Sequence, residues 1–264
     1  MDEFFGTLFG NVPVSQQLGY LQAALLENIW ETVYSTVIAT FFAYVIGLPL
    51  GIILVAGEKE GIRPLPRPVM GVLNFVINIL RSIPFLILMI VVMPLSRLIL
   101  GTSIGTVASI IPLVVAAFPF VARLVESSLR EVDQGVLEAA QAMGCTPFQI
   151  VRKVMLPEAV PSLLTGFTTA AITILSYGAM SATIGGGGLG SLAVNNGYQR
   201  GMTLILYVTV ILLVILVQII QSVGTRAAVG SDKRLAKGGR GQAKRAAGRK
   251  ADRDKGIPGD GGMG

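Results

Sequence analysis

Long apolar runs alternate with short polar segments along most of the chain. Five of these runs reach the roughly 20 residues that a helix needs to cross the hydrocarbon core of a bilayer. They cover residues 33–56, 70–93, 103–125, 160–184 and 202–223. The mean hydropathy of the whole chain is +0.70. This pattern predicts an all-α, polytopic membrane protein with five transmembrane helices, and the prolines inside the runs predict kinks. These are Pro49, Pro84, Pro112 and Pro119.

The chain divides into three parts by composition. Residues 1–31 are predicted to form an extracytoplasmic N-terminal segment. This segment lacks Lys and Arg, so a cleavable signal peptide is not predicted. Residues 18–33 are interpreted either as an interfacial amphipathic helix or as a plain extension of the first span. Residues 32–224 form the membrane domain. Residues 225–264 form a basic, glycine-rich cytoplasmic tail that is predicted to be disordered.

The tail and the loops carry the charge pattern that orients the chain. Basic residues are concentrated between the first and second spans, between the third and fourth, and in the tail, whereas the opposite loops carry only Arg97 and Arg200. The positive-inside rule therefore predicts a cell-membrane protein with its N-terminus outside and its C-terminus in the cytoplasm. The tail fits a solvated anchor or contact with anionic membrane lipid better than nucleic-acid binding, because no aromatic residues interleave its charges.

The cytoplasmic connection over residues 126–159 is the most informative segment outside the spans. Asp133 is a plausible N-cap for a first short helix that ends at Gly144. A second helix is expected to begin at Pro147 and to end near Pro157. Two short helices joined by a glycine turn make a compact knob over residues 133–157, which is suited to a groove in a partner protein.

The knob sequence EAAQAMGCTPFQIVRKVMLP resembles the signature loop of the permease subunits of ATP-binding-cassette importers. That loop combines E-A-A, three residues, G, nine residues, an aliphatic residue, one residue and L-P. Val154 stands where isoleucine is commoner, which conserves the volume of the side chain approximately. Over residues 30–223 the chain is similar to methionine importer permeases, through segments that include INILRSIPFLILM and IGGGGLGSLAVNNGY. Osmoprotectant permeases share the loop and the glycine run.

The resemblance implies a type I importer permease fold and a set of partners. Two permease subunits would form a homodimer above two ATP-binding-cassette ATPase subunits, and an extracytoplasmic substrate-binding lipoprotein would deliver the ligand. The first knob helix would couple ATPase closure to movement of the membrane helices. Glu138 would pair with a basic residue of the ATPase, Ala139 and Ala140 would allow close approach, and Gly144 would permit the turn. The implied coupling residues are Glu138, Ala139, Ala140, Gly144, Leu156 and Pro157.

Polar residues follow one face of two predicted spans. Asn74, Asn78 and Arg81 share a face of the second span, and a cation at that depth is costly unless it faces the protein or a wet cavity. Arg81 therefore contacts a substrate carboxylate, forms a gate, or bonds structurally to Asn78 or to carbonyls freed by Pro84. A second stripe lies on the fourth span and either lines the pathway or forms hydrogen bonds between helices. Its members are Thr165, Thr169, Thr173, Ser176 and Met180.

The glycine run over residues 185–190 matches the G-x-G-x-x-G pattern of nucleotide-binding loops. That chemistry needs a preceding strand, whereas a transmembrane span precedes this run and topology places it outside, so we interpret the match as accidental. The run is expected to form an extracytoplasmic turn or re-entrant loop near an outer gate and the binding-protein dock, or else a simple connector. Its glycines are Gly185, Gly186, Gly187, Gly188 and Gly190.

Several possible energy sources for transport are disfavoured because the sequence lacks the residues that they need. No predicted span carries Asp, Glu or His away from its ends, which disfavours proton coupling. No G-x-x-x-x-G-K-[ST] occurs, so an ATPase would be a separate subunit, and no spacing of metal ligands or catalytic groups predicts an enzyme or a cofactor. The sequence thus predicts the permease of an ATP-driven importer of methionine, D or L, or a related small amino acid. The alternatives are an osmoprotectant permease and an ATP-independent channel or membrane scaffold.

Overall fold

The computed structural model describes residues 12–231, and in this part of the chain every regular element is helical. The first four helices are α1 Val14–Ala56, α2 Arg67–Ser82, α3 Phe85–Leu100 and α4 Thr106–Arg130. They are followed by α5 Gln134–Ala142, α6 Pro147–Ile150, α7 Leu156–Ser181, α8 Gly188–Ser191 and α9 Thr203–Ser231. Two π-helical segments, Val151–Met155 and Leu192–Gln199, and a 3-10 turn, Ala182–Ile184, complete the path. The all-α prediction is confirmed for the described residues.

Helix α1 extends well beyond one membrane thickness. Its 43 residues make it roughly 65 Å long at about 1.5 Å per residue. Residues 18–33 belong to this helix, so the interpretation of that segment as an extension of the first span is confirmed. Two glycines bring α1 against α4: a Cβ on Gly47 would lie 2.7 Å from Val121 Cγ1, and one on Gly51 would lie 2.6 Å from Val125 Cβ. Small residues at such spacing permit close helix packing in membranes.

The second predicted span is broken. Instead of one helix over residues 70–93, α2 and α3 meet at Pro84 with an angle of 109° between them. Proline disfavours the helical conformation for the residue before it, and Ile83 is accordingly extended, with φ −77° and ψ 128°. Among residues 12–231, four helical segments are long and apolar enough to cross a membrane, and the predicted number of five requires α2 and α3 to form one bent span.

The core lies between α1, α4 and α7. Leu113, Val121 and Leu129 of α4 are almost completely buried, together with Ala39 and Ala43 of α1 and Ile174 of α7. Pro49, Pro112 and Pro119 lie inside continuous helices, so of the predicted kinks only that at Pro84 interrupts a helix. Helix α9 leaves most of its apolar surface exposed, as expected for a helix that faces lipid.

Helix α9 also corrects the predicted start of the tail. It continues to Ser231, so residues 225–231 are helical and do not begin a disordered segment. The remainder of the predicted tail, residues 232–264, and residues 1–11 of the N-terminal segment lie outside the described residues.

Candidate functional site

The two ends of helix α5 are formed by the residues that the sequence indicated. The side chain of Asp133 accepts a hydrogen bond of 2.7 Å from the backbone N–H of Gly135, which satisfies one free amide of the first turn. Gly144 takes a left-handed φ of +76°, a conformation that glycine adopts without strain. Thr146 and Gln149 then form a reciprocal capping box at the start of α6. The knob is therefore locally well determined by its sequence.

The sequence predicted that the second knob helix ends near Pro157, and this prediction is wrong. It continues through the π-helical segment Val151–Met155 into α7. Pro157 lies in the first turn of α7, a position where a helix tolerates the missing N–H of proline. The N–H of Leu156 bonds to the carbonyl of Val151, the wider spacing of a π-helix. The knob is consequently continuous with α7, without a flexible linker between them.

The implied coupling residues differ in exposure. Glu138, Ala139, Gly144 and Pro157 are exposed, and Leu156 is half-buried. Ala140 is only 2% exposed and packs in the core cluster that also contains Ile150, so its side chain faces its own chain. Its small side chain lets α5 lie close to the rest of the chain.

Two large apolar side chains project from the knob. Met143 is 75% exposed and Phe148 is 70% exposed, on either side of the turn at Gly144. Helices α5 and α6, with nine and four residues, are too short to bury a complete apolar face. Exposed aromatic and methionine side chains are enriched at the centres of protein interfaces. We call these two residues, together with the exposed Glu138 and Ala139, the knob surface.

The polar residues of α2 bond to an arginine of α4. Arg123 Nη2 donates to Oδ1 of Asn74 at 2.8 Å and to Oδ1 of Asn78 at 2.9 Å. The sequence analysis did not identify Arg123 as a partner of these amides. The spacing of Arg123, Glu126 and Arg130 on one face of a helix was the signal that could have found this arrangement.

The bonds of Arg123 belong to a larger network. Arg123 Nη1 lies 2.6 Å from Glu126 Oε2, and Arg130 Nη2 lies 2.8 Å from Glu126 Oε1. Arg130 also pairs through both terminal nitrogens with Glu58, in the connection between α1 and α2. Glu126 is only 8% exposed, and two guanidinium groups compensate its buried charge. We call this set, together with Asn74 and Asn78, the α4 charge network.

Arg81 lies outside the α4 charge network. Within residues 12–231 no hydrogen bond or ion pair joins its guanidinium group to another residue, so neither of the structural roles expected from sequence is present. Its side chain lines a cavity of about 170 Å³ beside the break between α2 and α3. The other lining residues are Leu80, Ile83, Phe85, Leu88, Ala116, Phe120 and Tyr177.

The hydroxyl stripe of α7 makes no hydrogen bond to another helix among the described residues. Thr165, Thr169, Thr173 and Ser176 each donate to a carbonyl four positions earlier in the same helix. The stripe is open along one surface of the single chain, where Thr165, Thr169, Ser176 and Met180 are exposed. Because the hydroxyls are already satisfied, this surface needs no polar neighbour to be stable.

The glycine run is held by α1 and by the segment before α4. The N–H of Gly188 donates to Glu31 Oε2 at 2.7 Å, and the N–H of Leu189 donates to Thr32 Oγ1 at 2.8 Å. The carbonyl of Gly185 accepts from the N–H of Gly105 at 2.8 Å. No residue of the described chain forms a strand before the run, which agrees with the rejection of a nucleotide loop.

Tight packing explains why the run is so rich in glycine. A Cβ on Gly187 would lie 1.9 Å from Thr106 Oγ1, and one on Gly190 would lie 2.4 Å from the Cα of Ala179. Gly185 and Gly188 adopt left-handed φ values of +93° and +78°. The run is therefore a packed junction between α1, α4 and α7, which distinguishes it from a simple connector.

Comparison with known proteins identifies the family of the chain. The chain matches the family described as binding-protein-dependent transport system inner membrane component over residues 47–235. It is 50% identical to the probable D-methionine transport system permease protein MetI of Vibrio cholerae, over 76% of this chain and 88% of that protein. The corresponding protein of Haemophilus influenzae is 47% identical over 78% of this chain and 96% of its own length.

Solved structures agree with this family. A structure of the MetNI methionine ABC transporter in inward-facing conformations is 42% identical, with a TM-score of 0.78, over 81% of this chain and 98% of that one. An amino acid ABC transporter shares the fold at 18% identity, with a TM-score of 0.66 over 81% of this chain and 97% of that chain. The chain thus belongs to the inner membrane component family of binding-protein-dependent transport systems, with the type I ABC permease fold.

Proposed function

We propose that this chain is the permease subunit of an ATP-driven importer of methionine, in the D or L form, or of a related small amino acid. Membership of the permease family supports the transport role, and the names of the relatives support the substrate. The observation that carries the mechanism is the continuity of the knob with α7 through Val151–Met155. Force applied to the knob reaches a membrane helix directly.

The proposed assembly follows from this role. Two copies of the chain form a homodimer in the cell membrane, in contact with membrane lipid, each with its N-terminus outside and its C-terminus in the cytoplasm. Two ATPase subunits bind on the cytoplasmic side, where the positive-inside rule places the knob. An extracytoplasmic substrate-binding lipoprotein delivers the ligand to the opposite side.

The knob surface is the proposed contact with the ATPase. The carboxylate of Glu138 is exposed and free to pair with a basic residue, while Met143 and Phe148 offer apolar area that would be buried on docking. Closure of the ATPase subunits would tilt the knob and, with it, α7. The coupling role is proposed for the residues that the resemblance implied, while the side chain of Ala140 packs α5 against the core. The others are Glu138, Ala139, Gly144, Leu156 and Pro157.

The open face of α7 is the proposed lining of the pathway. Hydroxyl groups that are satisfied by their own helix present a mildly polar surface, so a zwitterion can pass without strong binding. The glycine run lies at the other end of α7 from the knob, which supports a position near the outer gate and the binding-protein dock. Movement of α7 would reach both regions.

Reconstitution tests the proposal. Proteoliposomes that contain this chain with its ATPase and binding protein should accumulate methionine only when ATP is present. Glu138→Lys should abolish uptake and release the ATPase during copurification, since it reverses the charge of the proposed contact. Glu27→Lys, in the N-terminal half of α1, is the matched control for copurification because Glu27 is also exposed.

The alternatives give different results in the same system. ATP-independent flux would identify a channel, and accumulation of a quaternary amine in place of methionine would identify an osmoprotectant permease. Uptake that is unaffected by Glu138→Lys would contradict the coupling role.

A further inference from the structure

The cavity beside the break between α2 and α3 combines one cation with an apolar wall. Arg81 is the only charged residue among its lining residues, and the others are aliphatic or aromatic. Its volume of about 170 Å³ is below the roughly 300–1,000 Å³ of pockets for drug-sized ligands, so it is suited to a smaller molecule. Four helices contribute to it: α2 and α3 at the break, α4 through Ala116 and Phe120, and α7 through Tyr177.

The aromatic part of the wall is fixed in place. The rings of Phe85 and Tyr177 are stacked, with centroids 3.9 Å apart and an interplanar angle of 14°. This contact joins α3 to α7, the helix that continues from the knob. Phe120 adds a third ring to the cavity. Thioether sulfur makes favourable contacts with aromatic rings, and aliphatic groups gain from burial against all of these side chains.

Arg81 is available for a ligand because a different arginine, Arg123, forms the hydrogen bonds to the neighbouring amides. Asn74 and Asn78, which precede it on the same helix face, both accept from Arg123. The guanidinium of Arg81 is left with its five donors and no partner within residues 12–231. A guanidinium matches a carboxylate in shape and charge and commonly binds it through two parallel hydrogen bonds.

We propose that this cavity is a substrate site within the permease, in which Arg81 binds the carboxylate of an amino acid and the apolar wall takes its side chain. The site selects an α-amino acid with an unbranched or flexible apolar side chain, of which methionine is an example. It therefore adds a second selection step after the binding protein. This inference rests on the proposed function, since it assumes an imported amino acid.

Protection of a cysteine from alkylation tests occupancy of the cavity directly. In the complete complex, this chain carries two substitutions. Cys145→Ser removes its only native cysteine, and Ala116→Cys places a new one in the cavity wall. Saturating methionine should slow alkylation of the new cysteine about tenfold. Val107→Cys, exposed on the same helix and outside the cavity, is the matched control and should be unaffected. Methionine methyl ester, which lacks the carboxylate, should not protect.

Variants at Arg81 test its role. Arg81→Gln removes a charged hydrogen-bond donor and should raise the methionine concentration for half-protection about 10- to 100-fold. Arg81→Lys keeps the charge and should give a smaller shift, while Arg97→Gln, another exposed arginine, should give none. Complexes are compared only after copurification shows that they retain the ATPase.

The failure of this inference differs from the failure of the proposed function. If the native complex accumulates methionine but methionine does not protect the cavity cysteine, or if the ester protects equally, the site is wrong and the importer stands. Protection that is unchanged by Arg81→Gln also overturns the site. If the native complex shows no methionine uptake with ATP, the proposed function itself is wrong.

Discussion

Arg123 Nη2 lies 2.8 Å from Oδ1 of Asn74, so a charged group of α4 is bonded to an amide of α2. The same guanidinium is 2.6 Å from Glu126, a residue that is 8% exposed. Charge-assisted hydrogen bonds of this kind are stronger than neutral ones, particularly where water is excluded. The bond fixes α2, and hence the break that follows it, relative to the core helix α4.

The first prediction concerns this bond. Arg123→Leu should lower the free energy of unfolding by about 2–4 kcal/mol, because it leaves Glu126 with one cation and removes the partner of two amides. Arg97→Leu removes an exposed arginine without a bonded partner in the described chain and should cost within about 0.5 kcal/mol. Denaturant titration in detergent measures both. Equal effects of the two variants would show that the α4 charge network does not contribute to stability.

The second prediction concerns the hydroxyl that holds the glycine run. Thr32→Val conserves the shape of the side chain but leaves the buried N–H of Leu189 without its acceptor, so stability should fall by about 1–3 kcal/mol. Thr32→Ser restores the hydroxyl and should recover most of this loss. The midpoint of thermal unfolding of the purified chain distinguishes them. A serine variant as unstable as the valine variant would indicate that packing by the methyl group matters more than the hydrogen bond.

The third prediction concerns the space at the glycine run. Gly187→Ala should impair uptake, because its Cβ would lie 1.9 Å from Thr106 Oγ1 and 2.5 Å from Glu31 Oε2. Both side chains would have to turn away, and Glu31 would lose its hydrogen bond from the N–H of Gly188. Gly178→Ala is the control, since a Cβ at that position in α7 meets nothing within 4 Å. Uptake in proteoliposomes is the measurement. Wild-type uptake by Gly187→Ala would contradict a functional requirement for this packing.

The fourth prediction separates the knob surface from the knob core. Phe148→Ala should weaken copurification of the ATPase while leaving thermal stability unchanged, because the ring is 70% exposed. Ile150→Ala, two residues further on, should have the opposite signature and destabilise the chain by about 2–5 kcal/mol, since Ile150 is 1% exposed. Loss of stability in Phe148→Ala would mean that its ring packs on this chain and does not face a partner.

Local patterns predicted the knob well because its geometry depends on neighbouring residues. The cap at Asp133 and the turn at Gly144 follow from side-chain and backbone preferences that act over a few positions. Pro157 was misleading, because a proline marks either the end of one helix or the first turn of the next. Only the path of the backbone through Val151–Met155 distinguishes the two.

Hydrophobic periodicity and short motifs were sufficient to predict the helical class, the apolar segments and the family signature, because they are properties of consecutive residues. The same periodicity placed Asn74, Asn78 and Arg81 on one face of a helix. The packing of the helices was needed to show that the two amides bond to Arg123, because Arg123 is 45 and 49 positions away from them. It was also needed to show that Arg81 faces a cavity, because the wall of that cavity includes Phe120 and Tyr177 from two other helices. The same is true of Glu31 and the glycine run, which meet across 157 positions. Contacts between distant segments depend on how the helices pack, and one span that bends at Pro84 changes which side chains can meet.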